Sequence, residues 1–273
     1  MNHAQGWPPD EGEGSYAEMS SNPGDDSVQA EVPAETFVFI CCAPHGRVGT
    51  STTARLLSDY YLATRRSFAG FDADPHEPDY APRFGERVAN VDLANVQGQI
   101  AMIDRLLVAD REPKIVDLWS RSFTRFFGLA QEIGFFDEAR GKGVTPVILF
   151  HADGAEASTA AAYRLAATFP GVETLLVHNE GAAPLGGQAG ERLANERLAA
   201  YPPHRRLKIR ALDAAMRQAL EPNDLSLSWL LIDPPREMSL VVRSGLRAWL
   251  QPVFSQFRSF ELRHAFDSAS FLS

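Results

Sequence analysis

The chain has 273 residues, 45% of them hydrophobic and 22% charged, which excludes a wholly disordered polymer and is enough for one substantial core. A formal charge of −9 argues against a protein that coats nucleic acid through bulk charge, yet that charge is unevenly placed. Residues 1–35 hold eight of the 35 acids, from Asp10 to Glu35, and no Lys or Arg, which leaves 27 acids against 26 bases in residues 36–273. With Pro8, Pro9, Pro23 and Pro33 and few aliphatic side chains, this acidic segment cannot offset its ordering entropy and is expected to be a disordered tail. It lacks the basic start and apolar middle of a secretory signal. No later stretch reaches the roughly 18 uninterrupted apolar residues of a transmembrane segment. The two cysteines, Cys41 and Cys42, are adjacent, so a disulfide framework is excluded and a cytoplasmic, reducing location fits.

From Thr36 onward short apolar runs alternate with longer helical patterns, which predicts one α/β domain over 36–273 with a mostly parallel sheet between helices. Thr36–Cys42 is too continuous to be half-exposed and suits a parallel strand covered on both faces. A turn with Pro44, Gly46 and Gly49 follows, and Ser51 to Thr64 then places Ala54, Leu57 and Tyr61 at helical spacing. Ser67–Phe71 reads as a second strand ending at Asp72. Lys114–Trp119 is a short strand with Asp117 near its carboxyl end, and helical patterns cover about 122–141 and 155–168 on either side of an apolar run, Pro146–Phe150. Glu173–His178 is a further strand, ending at Asn179. An amphipathic stretch from Glu191 to Ala200, a short strand at Leu207–Ile209 and a helix over about 212–220 complete the alternation. At the carboxyl end Leu246, Trp249, Leu250, Val253, Phe257 and Phe260 predict an amphipathic helix over about 239–262, interrupted by Pro252. Such a stripe suits packing against the body better than peripheral membrane contact.

The first strand-to-helix turn carries most of the chemistry. In a phosphate loop, glycines let backbone N–H groups approach phosphate oxygens and the helix directs its positive end at them. A lysine bridges the terminal phosphates, and a Ser or Thr hydroxyl holds magnesium. The segment His45-Gly46-Arg47-Val48-Gly49-Thr50-Ser51-Thr52-Thr53 resembles the deviant loop of the ParA/MinD family of partition and positioning ATPases, written KGGxGK[ST]T. Gly46, Val48, Gly49, Ser51 and Thr52 match that pattern. His45 stands where the family has its signature lysine, Arg47 replaces the second glycine, and Thr50 replaces the loop lysine.

This resemblance implies a P-loop NTPase-like fold with ATP and Mg as cofactors, residues 45–52 around the phosphates and Ser51 on the metal. Phe71-Asp72-Ala73-Asp74-Pro75-His76 is similar to the family's DxDPQ segment. By that likeness Asp72 lies on the magnesium side and Asp74 positions the attacking water as the catalytic residue. Asp117 is similar to the Walker B aspartate beside the metal, and Asn179 matches a position that contacts the base. Lys208–Leu212 resembles the late IP.L strand exit, with Arg210 in place of proline. Read from the residues alone, Asp72 and Asp74 equally suit turn and cap positions before Pro75.

Each missing lysine removes a charge-assisted hydrogen bond of roughly 1.5–3 kcal/mol, so nucleotide binding weakens by about two to four powers of ten. The departures imply a pseudo-ATPase acting as an adaptor or regulator in partition or intracellular positioning of a macromolecular cargo. The retained aspartates imply instead an active ATP-dependent dimerising switch for partition, conjugal transfer or placement of a cell-envelope machine. Either implies a protein partner and allows a homodimer. Arg205, Arg206, Lys208 and Arg210 form the strongest basic patch, a candidate contact for the DNA backbone. Without interleaved aromatic residues it equally suits a solvated strand edge. His151-Ala152-Asp153 follows a strand and is placed to line the carboxyl edge of the sheet. The histidines show no metal-ligand spacing.

Overall fold

In the computed structural model, which describes residues 35–182, 187–220, 226–236 and 238–270, the chain forms a seven-stranded sheet between two layers of helices. The strands are β1 (Thr36–Cys42), β2 (Ala69–Asp72), β3 (Val88–Asn90), β4 (Lys114–Asp117), β5 (Val144–His151), β6 (Glu173–Asn179) and β7 (Arg206–Ile209). Their order is β3-β2-β4-β1-β5-β6-β7, and every pairing is parallel. The helices are α1 (Thr50–Ala63), α2 (Val96–Leu106), α3 (Phe123–Glu132), α4 (Phe135–Gly141), α5 (Glu156–Thr168), α6 (Gly187–Ala200), α7 (Ala214–Leu220), α8 (Leu227–Ile232) and α9 (Leu240–Ser270).

All of β1 is buried because both of its faces are covered. Phe37, Phe39 and Cys41 pack toward α1, α8 and α9, whereas Val38, Ile40 and Cys42 pack toward α2, α3, α4 and α5. The expected carboxyl-terminal stripe is spent on the first of these layers: Leu246, Leu250, Val253, Phe257 and Phe260 are buried, and Phe260 lies 5.6 Å from the Phe37 ring and 5.8 Å from that of Phe39. That helix is longer than its apolar pattern suggested, running to Ser270 with Pro252 inside it. Glu261, 2% exposed, ties it to α1 by accepting hydrogen bonds from Tyr60, Tyr61 and Arg66.

Two other points differ from the expectation. The helical pattern over 122–141 is two helices, because Gly134 adopts φ 63° between them. β3 and α2, in the stretch after Asp72, were not anticipated. The acidic segment lies outside the described residues except for Glu35, which belongs to the body. Its Oε1 accepts a hydrogen bond from Thr145 Oγ1 at 2.7 Å, and its Oε2 lies 3.9 Å from His264 Nδ1. Among the described residues no helix is long and apolar enough to cross a membrane.

The strand order fixes where a ligand can sit. From β1 the chain crosses to β2 on one side, whereas from β5 it proceeds to β6 on the other. A crevice therefore opens at the carboxyl ends of β1, β4 and β5, the switch point at which open parallel sheets bind ligands.

Candidate functional site

The loop from Ala43 to Gly49 leaves the carboxyl end of β1 at this switch point and enters α1. Its backbone shape is set by two residues. Gly49 has φ 96°, and a Cβ there would lie 2.0 Å from Asn179 Nδ2, so only glycine fits. Val48 is buried, and its carbonyl is held from behind by Asn179 Nδ2 at 3.5 Å and by His151 Nδ1–H at 3.3 Å. Across a trans peptide the N–H points opposite to the carbonyl, so the Gly49 N–H faces away from these two side chains. Helix α1 has no side-chain cap, and the first-turn residues Thr50, Ser51 and Thr52 line the cleft with their uncapped N–H groups. A helix start of this kind, with no side-chain cap, suits an anion.

The three departures from the resembled loop each have a distinct environment. His45 Nδ1 lies 2.6 Å from Asp153 Oδ2, and Ser158 Oγ lies 3.4 Å from the same nitrogen, so the ring is tied to the segment after β5. Arg47 takes φ 64° at the position of the second glycine, a left-handed conformation that costs a non-glycine residue about 1 kcal/mol, and its side chain is exposed. Thr50 stands close enough to Asp117 to favour its ionised form.

The carboxylates are placed by strand register. Asp72 of β2 pairs with Asp117 of β4, which in turn pairs with Cys41 of β1, so the two acids stand side by side at the carboxyl edge. Burial pushes Asp117 up to about 7; Ser51 and Thr50 oppose the rise through hydrogen bonds, and the neighbouring Asp72 charge adds to it. Asp72 is raised by burial, against hydrogen bonds from the N–H groups of Ala81, Asp74 and Tyr80. Its two oxygens accept these N–H groups at 2.9 to 3.2 Å, which fixes the loop after β2 around it. Asp74 Oδ1 accepts from His76 N at 3.0 Å and from Glu77 N at 3.1 Å, so its carboxylate caps the following turn while lining the cleft. Both aspartates thus serve as the turn and cap residues that the sequence alone allowed.

These groups enclose a cleft of about 540 Å³ that takes in His45, Gly46, Arg47, Gly49, Thr50, Ser51, Thr52, Asp72, Asp74, Asp117 and Asn179. Of the residues assigned to nucleotide, metal and water in the sequence, Val48 alone is not among its lining; His151 and Asp153, expected at the same sheet edge, are not among it either. Sequence reasoning missed Glu77, Asp79, Trp119, Ser120 and Arg121, which also line the cleft; the Arg121 guanidinium lies 5.2 Å from the Trp119 ring centroid. It also missed Asp153 as the partner of His45; the signal was its place two residues beyond the end of β5. His151 is buried and neutral, held down to about 4 by desolvation, and its Nε2 has no hydrogen-bond partner among the described residues.

The cleft can be tested against the group that its loop implies. Uncapped N–H donors and the Ser51 hydroxyl suit phosphate oxygens and a magnesium ion, with the Asp117 and Asp72 carboxylates behind. No group of three or more His, Cys, Asp or Glu side chains is placed to hold a metal ion by itself among the described residues. A divalent ion there would complete its shell with the Ser51 hydroxyl, water or phosphate oxygens. The donor set fits a magnesium nucleotide without its lysines.

The basic patch is divided. Lys208 pairs with Glu180 at 2.7 Å, and Arg206 donates to the carbonyls of Tyr201 and Ala199, so two of its four cations are engaged locally. Arg205 and Arg210 are exposed. No protein-family model and no curated protein matches the chain.

Proposed function

We propose that the chain is a ParA/MinD-like protein with a degenerate phosphate loop, which binds a magnesium nucleotide weakly and turns it over little or not at all. In this reading it acts as a cytoplasmic adaptor or regulator in partition or positioning of a macromolecular cargo, through a protein partner. One observation carries the reading: the helix start at Gly49–Thr52 is uncapped, whereas His45 and Thr50, at the two lysine positions, are engaged by Asp153 and Asp117. Binding needs the helix start, and transition-state charge needs the lysines. Magnesium, when bound with the nucleotide, supplies the positive charge that the loop lacks; Ser51 would hold it, with Asp117 and Asp72 beside it.

A second reading, the active switch, draws on Asp74, whose carboxylate is anchored at the cleft wall where a water-orienting group belongs. Equilibrium binding of ATP and ADP with and without Mg²⁺, together with a turnover assay, separates the two. The expected result at pH 8 is Mg²⁺-dependent binding that weakens in Ser51→Ala, with turnover at background. A robust ATPase rate lost in Asp74→Ala would establish the switch instead. Absence of binding at millimolar nucleotide would overturn the nucleotide part of the proposal.

A further inference from the structure

Beyond Asn179 the cleft continues into an annex of about 340 Å³, and Thr52, Asn179 and Gly181 line both hollows. The two differ in sign. Five carboxylates, Asp72, Asp74, Glu77, Asp79 and Asp117, line the first. The annex is lined by four arginines from four separate segments: Arg55 on α1, Arg83 after the β2 loop, Arg210 at the exit of β7 and Arg217 on α7. The carboxylate seen paired with them is Asp79, 3.3 Å from Arg55 and 3.7 Å from Arg83, and its own side chain is 55% exposed against 20% and 18% for the two guanidiniums. Arg55 is lowered by burial and by the charge of Arg83, against the opposing charges of Asp79 and Asp59. Arg217 donates to the Leu212 carbonyl at 3.1 Å, and Trp249 Nε1 donates to the Arg210 carbonyl at 2.9 Å, which fixes the backbone that presents both outer arginines.

Four guanidiniums brought to one hollow from four segments make a positive field that attracts an anion. Guanidinium forks match phosphate oxygens in pairs, and arginine is the side chain best suited to that recognition. We propose that the annex is a phosphate site and that the ligand of the whole cleft is a nucleotide carrying a further phosphate remote from its 5′ chain. The loop holds the 5′ phosphate chain, and Arg210 and Arg217 hold the remote one. The annex alone predicts a phosphate contact; the nucleotide assignment rests on the function proposed above.

The test uses the full chain and calorimetric titration with AMP, adenosine 3′,5′-bisphosphate and inorganic pyrophosphate. The wild type is compared with the double variant Arg210→Gln/Arg217→Gln and with Ser51→Ala. Both arginines are exposed, so the double variant keeps the core intact. The expected result is that the bisphosphate binds about tenfold or more tightly than AMP, an advantage lost in the double variant while its AMP affinity stays unchanged. Equal affinities for AMP and the bisphosphate in the wild type would overturn the proposal and leave the nucleotide reading of the loop intact. Pyrophosphate binding that survives Ser51→Ala and is lost in the double variant, with neither nucleotide bound, would support the annex and overturn the nucleotide reading. No binding of any of the three overturns both.

Discussion

Asp117→Asn should make the protein more stable at alkaline pH, the reverse of the usual result for an aspartate at a functional site. Folding raises this carboxyl from 3.8 to about 7 because it is desolvated at the end of β4 and lies beside Asp72. The folded state therefore binds more protons than the unfolded state between these values, and stability falls as pH rises through them. Well below pH 3.8 the group is protonated in both states and contributes nothing; well above pH 7 it contributes its full penalty. About three pH units at 1.36 kcal/mol each give about 4 kcal/mol. Asn keeps an acceptor for the Ser51 and Thr50 hydroxyls and has no proton to lose. Urea unfolding at intervals from pH 4.5 to 8.5 should give two curves that diverge by about 4 kcal/mol toward the alkaline end, with the variant above. Parallel curves would refute the assignment of a buried, repelled carboxylate. A bound divalent cation favours the ionised form, so the stabilisation by Mg²⁺ and nucleotide should be larger at pH 8 than at pH 6 in the wild type and flat in the variant.

Gly49→Ala forces a Cβ to within 2.0 Å of Asn179 Nδ2 at φ 96° and should lower the unfolding free energy by about 2 kcal/mol; an unchanged urea midpoint would contradict the close approach. Glu261→Ala leaves Arg66, Tyr60 and Tyr61 without their shared acceptor and should cost about 3 kcal/mol in the same assay, with Glu261→Gln losing less. Thr50→Lys puts a lysine back into the loop and should tighten ATP binding by about 10- to 100-fold in calorimetry. No gain there would mean that the loop does not receive the phosphates.

The sheet was legible where a run of apolar residues left no polar side for water. Thr36–Cys42, Pro146–Phe150 and Glu173–His178 fall in β1, β5 and β6, and their continuity fits burial on both faces, which is complete in β1 and confined to Leu175–Val177 in β6. β3 is three residues long with one buried, too short for any period to register. In α2 the buried residues Met102, Ile103 and Leu106 fall in its second half, so its opening turn reads as loop. Within the site, loop and carboxylates were legible through their order along the chain. The pairing of His45 with Asp153 was not, because it joins residues 108 apart and depends on β5 lying beside β1. Trp119 and Arg121 reach the cleft for a similar reason: β4, which they follow, lies beside β1 on the side away from β5.

The departures in the loop have one consequence when taken together. Arg47 holds a left-handed backbone at a cost of about 1 kcal/mol that glycine would avoid, and its exposed side chain makes no hydrogen bond or ion pair among the described residues. Strain kept at the mouth of a cleft points to the side chain rather than to the fold, and the cleft there has a shortage of positive charge. Arg47 and Arg121 face five carboxylates across it. An incoming phosphate chain meets a net negative wall unless a cation accompanies it or Asp117 takes up a proton. The loop should therefore bind a nucleotide in two regimes, with Mg²⁺ above pH 7 and with a proton on Asp117 below it. A lysine at residue 50 would remove that distinction by supplying a permanent charge beside Asp117.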